Sequence, residues 1–475
     1  MDVQKLYSAF LECGRVTTDS RAISGGEMFF GLKGDNFDGN EYALKALEAG
    51  SRYAVVDESS TAATSGDPRV IVVPDTLVAL QALARHHREN TFIDGKRLTV
   101  IGLTGTNGKT TTKELITRVL SVKYKVTSTQ GNLNNDIGVP LSVLNINSET
   151  QLAVIEMGAN HHDDIEKLVK VCEPDYGLIT NVGKAHLLGF GSFEGVKKAK
   201  GKLYDYISEH GGSIFLNADD ENLVAMAAER KGLNVIEYGI EHWGAMVLPS
   251  DAAYPFVRMA IPDTVTSTGL STVEATDRTE NLLGLETHLA GSYNANNIAA
   301  AIAVGLHFGV SLEDAIQAVS EYIPKNNRSQ LEKTERNILI EDAYNANPTS
   351  MAAALDNLAT VQAPQKAAML GDMRELGEES VAEHIAILKK LALMDLDLVC
   401  LVGEEFGKAL GTIPEPAEGP LVRQCSPTIE MASNTKWFPT SDDLAAWLKE
   451  NQIANHTILI KGSRGIRMEK ILSEL

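Results

Sequence analysis

The chain has 475 residues, 44% of them hydrophobic, and a formal net charge of -20. That length accommodates roughly three domains at about 150 residues each, and the hydrophobic share argues against a disordered chain. The acidic balance argues against nucleic acid as the main partner, because phosphate backbones are bound by an excess of Lys and Arg.

The opening "MDVQKLYSAFLECGR" lacks a basic start followed by an apolar core, so no secretory signal is expected. No apolar run approaches the roughly 20 residues that span a bilayer. Cys13, Cys172, Cys400 and Cys425 show no paired ligand spacing, which fits separate reduced thiols in a cytoplasmic protein.

Residues 1–95 alternate strand-like runs ("EMFFGLKG", "RYAVVDE", "RVIVVP") with helical ones ("NEYALKALEAG", "TLVALQALARHHREN"), predicting a small α/β domain. The polar stretch "RENTFIDGKR" reads as a linker. From 96 to 324, "LTVIGLTG", "QLAVIEMG", "YGLITNVG" and "GSIFLNADD" are apolar on both faces and alternate with helical patterns. That predicts a mainly parallel sheet covered on both sides. Residues 235–290 read instead as antiparallel strands and loops. A third α/β block, 325–475, has strand ends at "NILIEDAYNANP", "KAAMLGDM", "LDLVCLVGE" and "HTILIKGSRG". Ligands of open α/β sheets bind beyond the carboxyl ends of strands, so the polar residues after these runs are where chemistry is expected.

The first such place is "LTGTNGKTT", between an apolar strand and a helix. A G-x-x-x-x-G-K-[ST] loop requires glycine at 103, where this chain has Leu103, so the sequence predicts a variant phosphate loop. Gly105 and Gly108 let backbone N–H groups approach phosphate oxygens at a helix N-terminus. Lys109 can reach the β- and γ-phosphates of a nucleotide and Thr110 can ligate magnesium; Thr106, Asn107 and Thr111 complete the expected ATP loop.

Glu156 ends the apolar run "AVIE", where a carboxylate is costly unless paired or bound to a cation. His186 follows the next strand; taken alone, it reads more readily as an ordinary histidine than as a ligand. His161 and His162 read as loop residues. The segment "GVKKAKGKLYD" is helical and basic, which in isolation reads as a solvated face. A lysine held near other cations loses basicity, and its neutral amine can take up carbon dioxide to form a carbamate. The residues themselves do not select which lysine does so.

"TGTNGKTT", "VIEMGAN", "NVGKAHLLGFGS", "AKGKLY", "SYNANN", "EDAYNANPTSM", "LGDMRELGEES" and "KGSRG" occur in this order between 104 and 465. Together they resemble the Mur ligases, and "TTDSRAISGGEMFFGLKGDNFDGN" resembles that family's uridine-nucleotide domain. The phosphate loop is common to the superfamily. "DAYNANPTSM" and "LGDMRELGEES" are the sharper marks and resemble the branch that adds D-alanyl-D-alanine.

The resemblance implies three domains: a UDP-substrate-binding domain (1–95), a central P-loop ATPase-like domain (96–324), and a Rossmann-like domain (325–475) that closes on ATP and binds the dipeptide. It implies a ligase that phosphorylates the terminal carboxylate of UDP-N-acetylmuramoyl-tripeptide with ATP. The D-alanyl-D-alanine amine then attacks the acyl phosphate, the last cytoplasmic step of peptidoglycan precursor synthesis. Cell-wall biogenesis, cell shape and division would depend on it.

By position, the resemblance implies Lys109, Glu156, His186 and Lys200 as catalytic. Thr110 and Glu156 would hold one magnesium ion, and His186 a second with Lys200 in carbamylated form. Asn294 and Asn297 would contact adenine, and Arg328 and Asp342 the nucleotide. Ser20 and Arg21 would contact the uridine nucleotide, with a helix-capping Ser and its neighbour as the alternative. Asn345, Asn347, Lys461, Ser463 and Arg464 would take the dipeptide or acyl-phosphate end, where Lys and Arg suit a carboxylate.

Three positions depart from the family pattern: Tyr293 replaces a histidine, "NNRSQ" lacks a glycine before Arg328, and Asn40 replaces a histidine. The expected partners are small molecules, with a monomeric chain. The competing readings are a related ligase that adds a single amino acid, of Mur or folylpolyglutamate type, and a nucleotide-dependent switch.

Overall fold

Strands buried on both faces cannot alternate polar and apolar residues, and the central sheet shows this directly: Leu152–Glu156 is buried at every position and Thr99–Thr104 at all but its first. The computed structural model describes residues 2–34, 36–249, 256–266, 269–270, 281–324, 330–411 and 434–475. Three parallel-stranded sheets follow one another along the chain, giving the expected α/β class.

The first sheet runs Val16–Thr17, Met28–Phe30, Tyr53–Asp57, Val70–Val73 in spatial order, all parallel. In the central sheet the order is Val126–Ser128, Leu152–Glu156, Thr99–Thr104, Tyr176–Ile179, Ser213–Asn217, Asn234–Tyr238. Thr99–Thr104, the first of these in sequence, therefore lies inside the sheet, with later strands added on both sides of it. That is a topological switch point, where open α/β sheets form their ligand crevice.

Asn234–Tyr238 corrects the expectation of antiparallel structure from 235 onward, since it pairs in parallel with Ser213–Asn217. It is the sheet's edge strand and exposed at most positions, so it lacks the two-faced apolar pattern of its neighbours. The antiparallel sheet begins after it, with Met246–Leu248, Phe256–Pro262 and Leu282–Ala290.

The third sheet runs Gln330–Lys333, Ile338–Asp342, Thr457–Lys461, Lys366–Gly371, Leu398–Val402, Thr435–Phe438. Only Gln330–Lys333 is antiparallel. It and Thr435–Phe438 are edge strands absent from the four strand ends read in the sequence, because both are short and largely exposed.

The stretch read as a linker is a β-hairpin, Phe92–Ile93 against Lys96–Arg97. Asp94 and Gly95 form its two-residue turn at φ of 50° and 76°. One apolar core runs through both the first and central blocks. Helices Val3–Cys13 and Thr76–Glu89 contribute Phe10, Leu80 and Leu83 to the same cluster as Val139, Val143 and Ile165 of the central block. Arg88 fastens this junction: fully buried, it donates to the Cys172 carbonyl at 3.1 Å, the Glu173 carbonyl at 3.1 Å and Asp175 Oδ2 at 2.8 Å. Asp175 also accepts from the Val100 N–H at 2.8 Å, tying Arg88 to the start of the central strand. Among the described residues, no helix is long and apolar enough to cross a membrane.

Loss of this guanidinium would leave buried carbonyls without a donor. Arg88→Ala is expected to lower stability by about 2–3 kcal/mol, the scale of hydrogen bonds to a charged group. Urea unfolding followed by tryptophan fluorescence and by circular dichroism measures it. Because the core is continuous, the first and central blocks are expected to unfold together.

Candidate active site

At the end of Thr99–Thr104 the chain turns through Gly105 and Gly108, and Gly108 has a left-handed φ of 78°. A Cβ on Gly105 would stand 1.9 Å from Thr180 Oγ1, so the neighbouring strand end demands glycine there. Helix Lys109–Leu120 then begins on Gly108, which supplies no side-chain acceptor to its N–H groups. Leu103 is a fully buried strand residue, which places the turn after it as the sequence reading requires.

The loop is braced from the adjacent strand end. Asn181 accepts from the Thr106 N–H through its carbonyl and from the Asn107 N–H through Oδ1, both at 3.0 Å. Thr180 Oγ1 donates to the Asn107 carbonyl at 2.6 Å. Lys109 Nζ folds back onto the carbonyls of Gly105 (2.9 Å) and Thr106 (3.1 Å), so an incoming anion would compete for an amine already at the loop.

Parallel register brings Glu156 alongside Leu103, beside the loop. Its Oε1 accepts from Thr110 Oγ1 at 3.2 Å and from Asn134 Nδ2 at 2.7 Å. Its Oε2 is buried without a hydrogen-bond partner. A buried carboxylate oxygen beside a hydroxyl is a donor pair suited to a hard divalent cation. Among the described residues no group of three His, Cys, Asp or Glu side chains forms a metal site by itself. The protein ligands here therefore suit magnesium shared with phosphate oxygens and water rather than an all-protein cage.

His186 lines the same cleft from a left-handed backbone position (φ 50°). Burial pushes its pKa down against the opposing pull of Glu375, and Lys109 and Lys200 lower it further. Lys200 lies on helix Phe193–Glu209 but is only 2% exposed, which corrects the solvated-face reading for this residue. Burial, reinforced by Lys109 and partly opposed by Asp164, holds its amine well below the ordinary lysine range. Its Nζ stands 5.7 Å from the centre of the Phe190 ring.

The third block forms the opposite wall. Asp342, Asn345, Asn347 and Lys461 line a cleft of about 1120 Å³ together with the phosphate loop, Asn294 and Asn297. That exceeds the roughly 300–1,000 Å³ of an ordinary small-molecule pocket, leaving room for more than one ligand. Asn347 spans the two blocks, donating from Nδ2 to Asn107 Oδ1 at 2.7 Å while capping helix Pro348–Thr360. Lys461 Nζ pairs with Asp342 Oδ2 at 2.5 Å and donates to the Asn345 carbonyl at 3.2 Å. Asn297 Oδ1 accepts from Thr112 Oγ1 at 3.1 Å, and its Nδ2 donates to Asn294 Oδ1 at 2.8 Å.

Other expected site residues lie apart from this cleft. Ser463 is buried, its Oγ accepting from the Arg374 N–H at 2.9 Å and donating to the Ala346 carbonyl at 3.3 Å. The Arg464 guanidinium sits 5.5 Å from the centre of the Tyr344 ring. Arg21 is exposed and paired with Asp19 at 2.8 Å. Asp19, not Ser20, caps the turn Ser20–Ala22, which corrects the capping alternative. Arg328 and Cys425 fall outside the described residues.

Several contributors escaped the sequence reading. Asn134, in "GNLNND", clamps Glu156, and an asparagine-rich turn after a strand was a legible signal. Thr180 and Asn181 brace the loop, visible in sequence only as the polar end of "YGLITN". Glu375, which meets His186 Nδ1, sits in an acidic stretch that offers no reason to choose it.

Three family descriptions match successive parts of the chain: "Mur ligase family, catalytic domain" over 13–88, "Mur ligase middle domain" over 103–305, and "Mur ligase, glutamate ligase domain" over 327–464. The UDP-N-acetylmuramoyl-tripeptide--D-alanyl-D-alanine ligase of Bacillus subtilis is 34% identical, over 97% of this chain and 92% of its own. The Escherichia coli ligase of the same name is 32% identical, over 99% and 95%. A crystal structure of MurF from Acinetobacter baumannii matches with a TM-score of 0.80 at 29% identity, covering 100% of this chain and 98% of that one. MurF ligase from Thermotoga maritima, in complex with ADP, matches with a TM-score of 0.77 at 25% identity, covering 98% and 97%.

The buried amine of Lys200 makes a pH prediction. Its folded pKa is depressed below the ordinary 10.5, so the unfolded chain binds more protons between the two values and stability rises with pH there. The contribution is fully present above 10.5 and is lost as pH falls towards the folded value. Lys200→Met is therefore expected to stabilise the protein at neutral pH in bicarbonate-free buffer, the gain shrinking as pH approaches 10.5. Urea midpoints across that range measure it; a pH-independent difference would mean an ordinary charged lysine.

Proposed function

The chain belongs to the Mur ligase family, and from that premise we propose that its cleft performs an ATP-driven acyl activation joining D-alanyl-D-alanine to UDP-N-acetylmuramoyl-tripeptide. The protein is an ATP-dependent ligase of peptidoglycan synthesis that forms a C–N bond. The full-length relatives favour dipeptide addition over addition of a single amino acid.

A carboxylate is a poor acyl donor because oxide is a poor leaving group. Its oxygen attacks the γ-phosphorus and ADP departs; the dipeptide amine then attacks the acyl carbon, loses a proton, and phosphate leaves with the C–O bonding pair. Both steps bring anions together, so fixed positive charge and oriented donors lower the barrier. Lys109 and the N–H groups of the loop, with Thr106, Asn107, Thr110 and Thr111, would take the β- and γ-phosphates. Thr110 and Glu156 fit one magnesium ion. His186 and Lys200, as its carbamate, would complete a second site. Magnesium held there would supply charge neutralisation as the two anions approach. The observation that carries this reading is the unpartnered, buried Glu156 oxygen beside Thr110 of the phosphate loop.

The neutral amine favoured at Lys200 is the form that adds to carbon dioxide, R–NH2 + CO2 giving R–NH–COO⁻ and a proton. Asn294 and Asn297 would face adenine, with Arg328 and Asp342 reaching the nucleotide. Asn345, Asn347, Lys461, Ser463 and Arg464 would serve the dipeptide side, and Ser20 and Arg21 the uridine nucleotide. Units at 1–95, 96–324 and 325–475 would bind UDP-substrate, ATP and dipeptide, the last closing on the nucleotide. The working form would be a cytoplasmic monomer.

ADP release is expected to require tripeptide and dipeptide together with ATP and magnesium, and D-glutamate, L-alanine or L-glutamate should not replace the dipeptide. Steady ADP release without tripeptide would contradict the reading. Lys200→Ala is expected to lose activity that short-chain carboxylic acids partly restore by standing in for the carbamate; an unrescued variant with full activity would remove Lys200 from the chemistry.

A further inference from the structure

Six non-glycine residues among those described adopt left-handed backbone, and two of them, His186 (φ 50°) and Glu375 (φ 65°), touch each other. They lie on different blocks. His186 follows the central strand Tyr176–Ile179, and Glu375 follows the third-block strand Lys366–Gly371. His186 Nδ1 meets Glu375 Oε2, and the Leu188 N–H donates to the Glu375 carbonyl at 3.3 Å. Such backbone is unfavourable for a residue with a side chain and persists only where the surroundings impose it.

The residues flanking Glu375 are held by its own block. Asp372 accepts through its two carboxylate oxygens from the N–H groups of Glu405 and Phe406, each at 2.9 Å. The Met373 N–H donates to Nε2 of the buried His384 at 3.1 Å, and His384 Nδ1 bonds the Ser380 carbonyl at 2.7 Å. The Arg374 N–H donates to Ser463 Oγ at 2.9 Å, and Leu376 is buried. The Glu375 side chain is nevertheless 56% exposed, so core packing does not force it onto His186. Lys184, two residues before His186, makes a second bridge between the blocks, to Glu383 at 2.6 Å.

We propose that Glu375 is a positioning residue: docked from the third block, it accepts the Nδ1–H of His186 and thereby fixes the ring with Nε2 as the nitrogen available to a ligand in the cleft. A carboxylate on the far nitrogen sets the tautomer of a ligating imidazole and strengthens it as a donor. The ATP side of the site is then complete only when the third block is seated. This inference rests on the reading of His186 as a magnesium-holding residue.

The test uses the full-length protein labelled with ¹⁵N-histidine at about pH 8, where an ordinary imidazole is neutral. His186→Gln identifies the His186 signals. Without nucleotide or metal, the wild-type ring is expected as the Nδ1–H tautomer, and Glu375→Ala is expected to shift it towards Nε2–H. In turnover, Glu375→Ala should raise the magnesium concentration for half-maximal ADP release by about 10- to 100-fold, the usual effect of losing such a partner. KM for the UDP-linked tripeptide should change less than about twofold. Glu375→Gln keeps an acceptor oxygen and should restore the tautomer and part of the magnesium response. Thermal midpoints verify that the variants fold, as expected for a half-exposed side chain. An unchanged tautomer in Glu375→Ala, or an unchanged magnesium dependence, overturns the proposal. His186→Gln separates the two ideas. Wild-type magnesium dependence in that variant would sink the role of His186 itself and the proposal with it. Its loss there, with Glu375→Ala behaving as wild type, would sink only the positioning role.

Discussion

The cleft depends on the parallel register of three central strands whose carboxyl ends stop together. Leu103 lies level with Glu156 on one side and with Leu178 on the other, so the phosphate loop, the buried carboxylate and the Thr180–Asn181 brace are brought side by side by backbone pairing alone. Gly105 is where this becomes tightest, since the adjoining strand end leaves no room for a side chain. A shift of the strand carrying Glu156 would move its carboxylate from the cleft to a covered face of the sheet.

That arrangement costs stability in two places. Glu156 is buried with one oxygen unpartnered, and Lys200 is buried as an amine whose charge its surroundings disfavour. Glu156 lines the cleft beside the loop, and Lys109 of that loop is among the charges acting on Lys200. Buried ionisable groups that the fold does not satisfy are characteristic of sites prepared for a ligand. Arg88 and Lys461 are better provided for: Arg88 takes two carbonyls and a carboxylate and leaves only Nη1 without a partner, and Lys461 takes Asp342.

The third block meets the central one through polar contacts, Asn347 with Asn107, Lys184 with Glu383 and Glu375 with His186, and through Ala290, which joins the third block's apolar core. The first block instead shares an apolar core with the central block. Polar contacts of this kind separate with less loss than a continuous core.

Strand and helix periodicity, the glycine turn before Lys109 and the carboxylate at the end of "AVIE" are local features, and they were legible in the sequence because each depends only on near neighbours. The same locality hid the rest. "RENTFIDGKR" looked like a linker because the core that joins the flanking blocks is assembled from Phe10, Leu80 and Val139, residues far apart in the chain. Asn234–Tyr238 looked unlike its parallel neighbours because an edge strand is exposed. Lys200 looked like part of a charged surface, and Glu375 like any acid in "RELGEES". What the sequence determined by itself was the class of fold and the glycine turn that starts the helix at Lys109, through patterns of two to four residues. Which lysine is buried and which glutamate reaches His186 was decided only by the tertiary structure, since burial and long-range contact depend on how distant segments pack, and no short-range pattern encodes that.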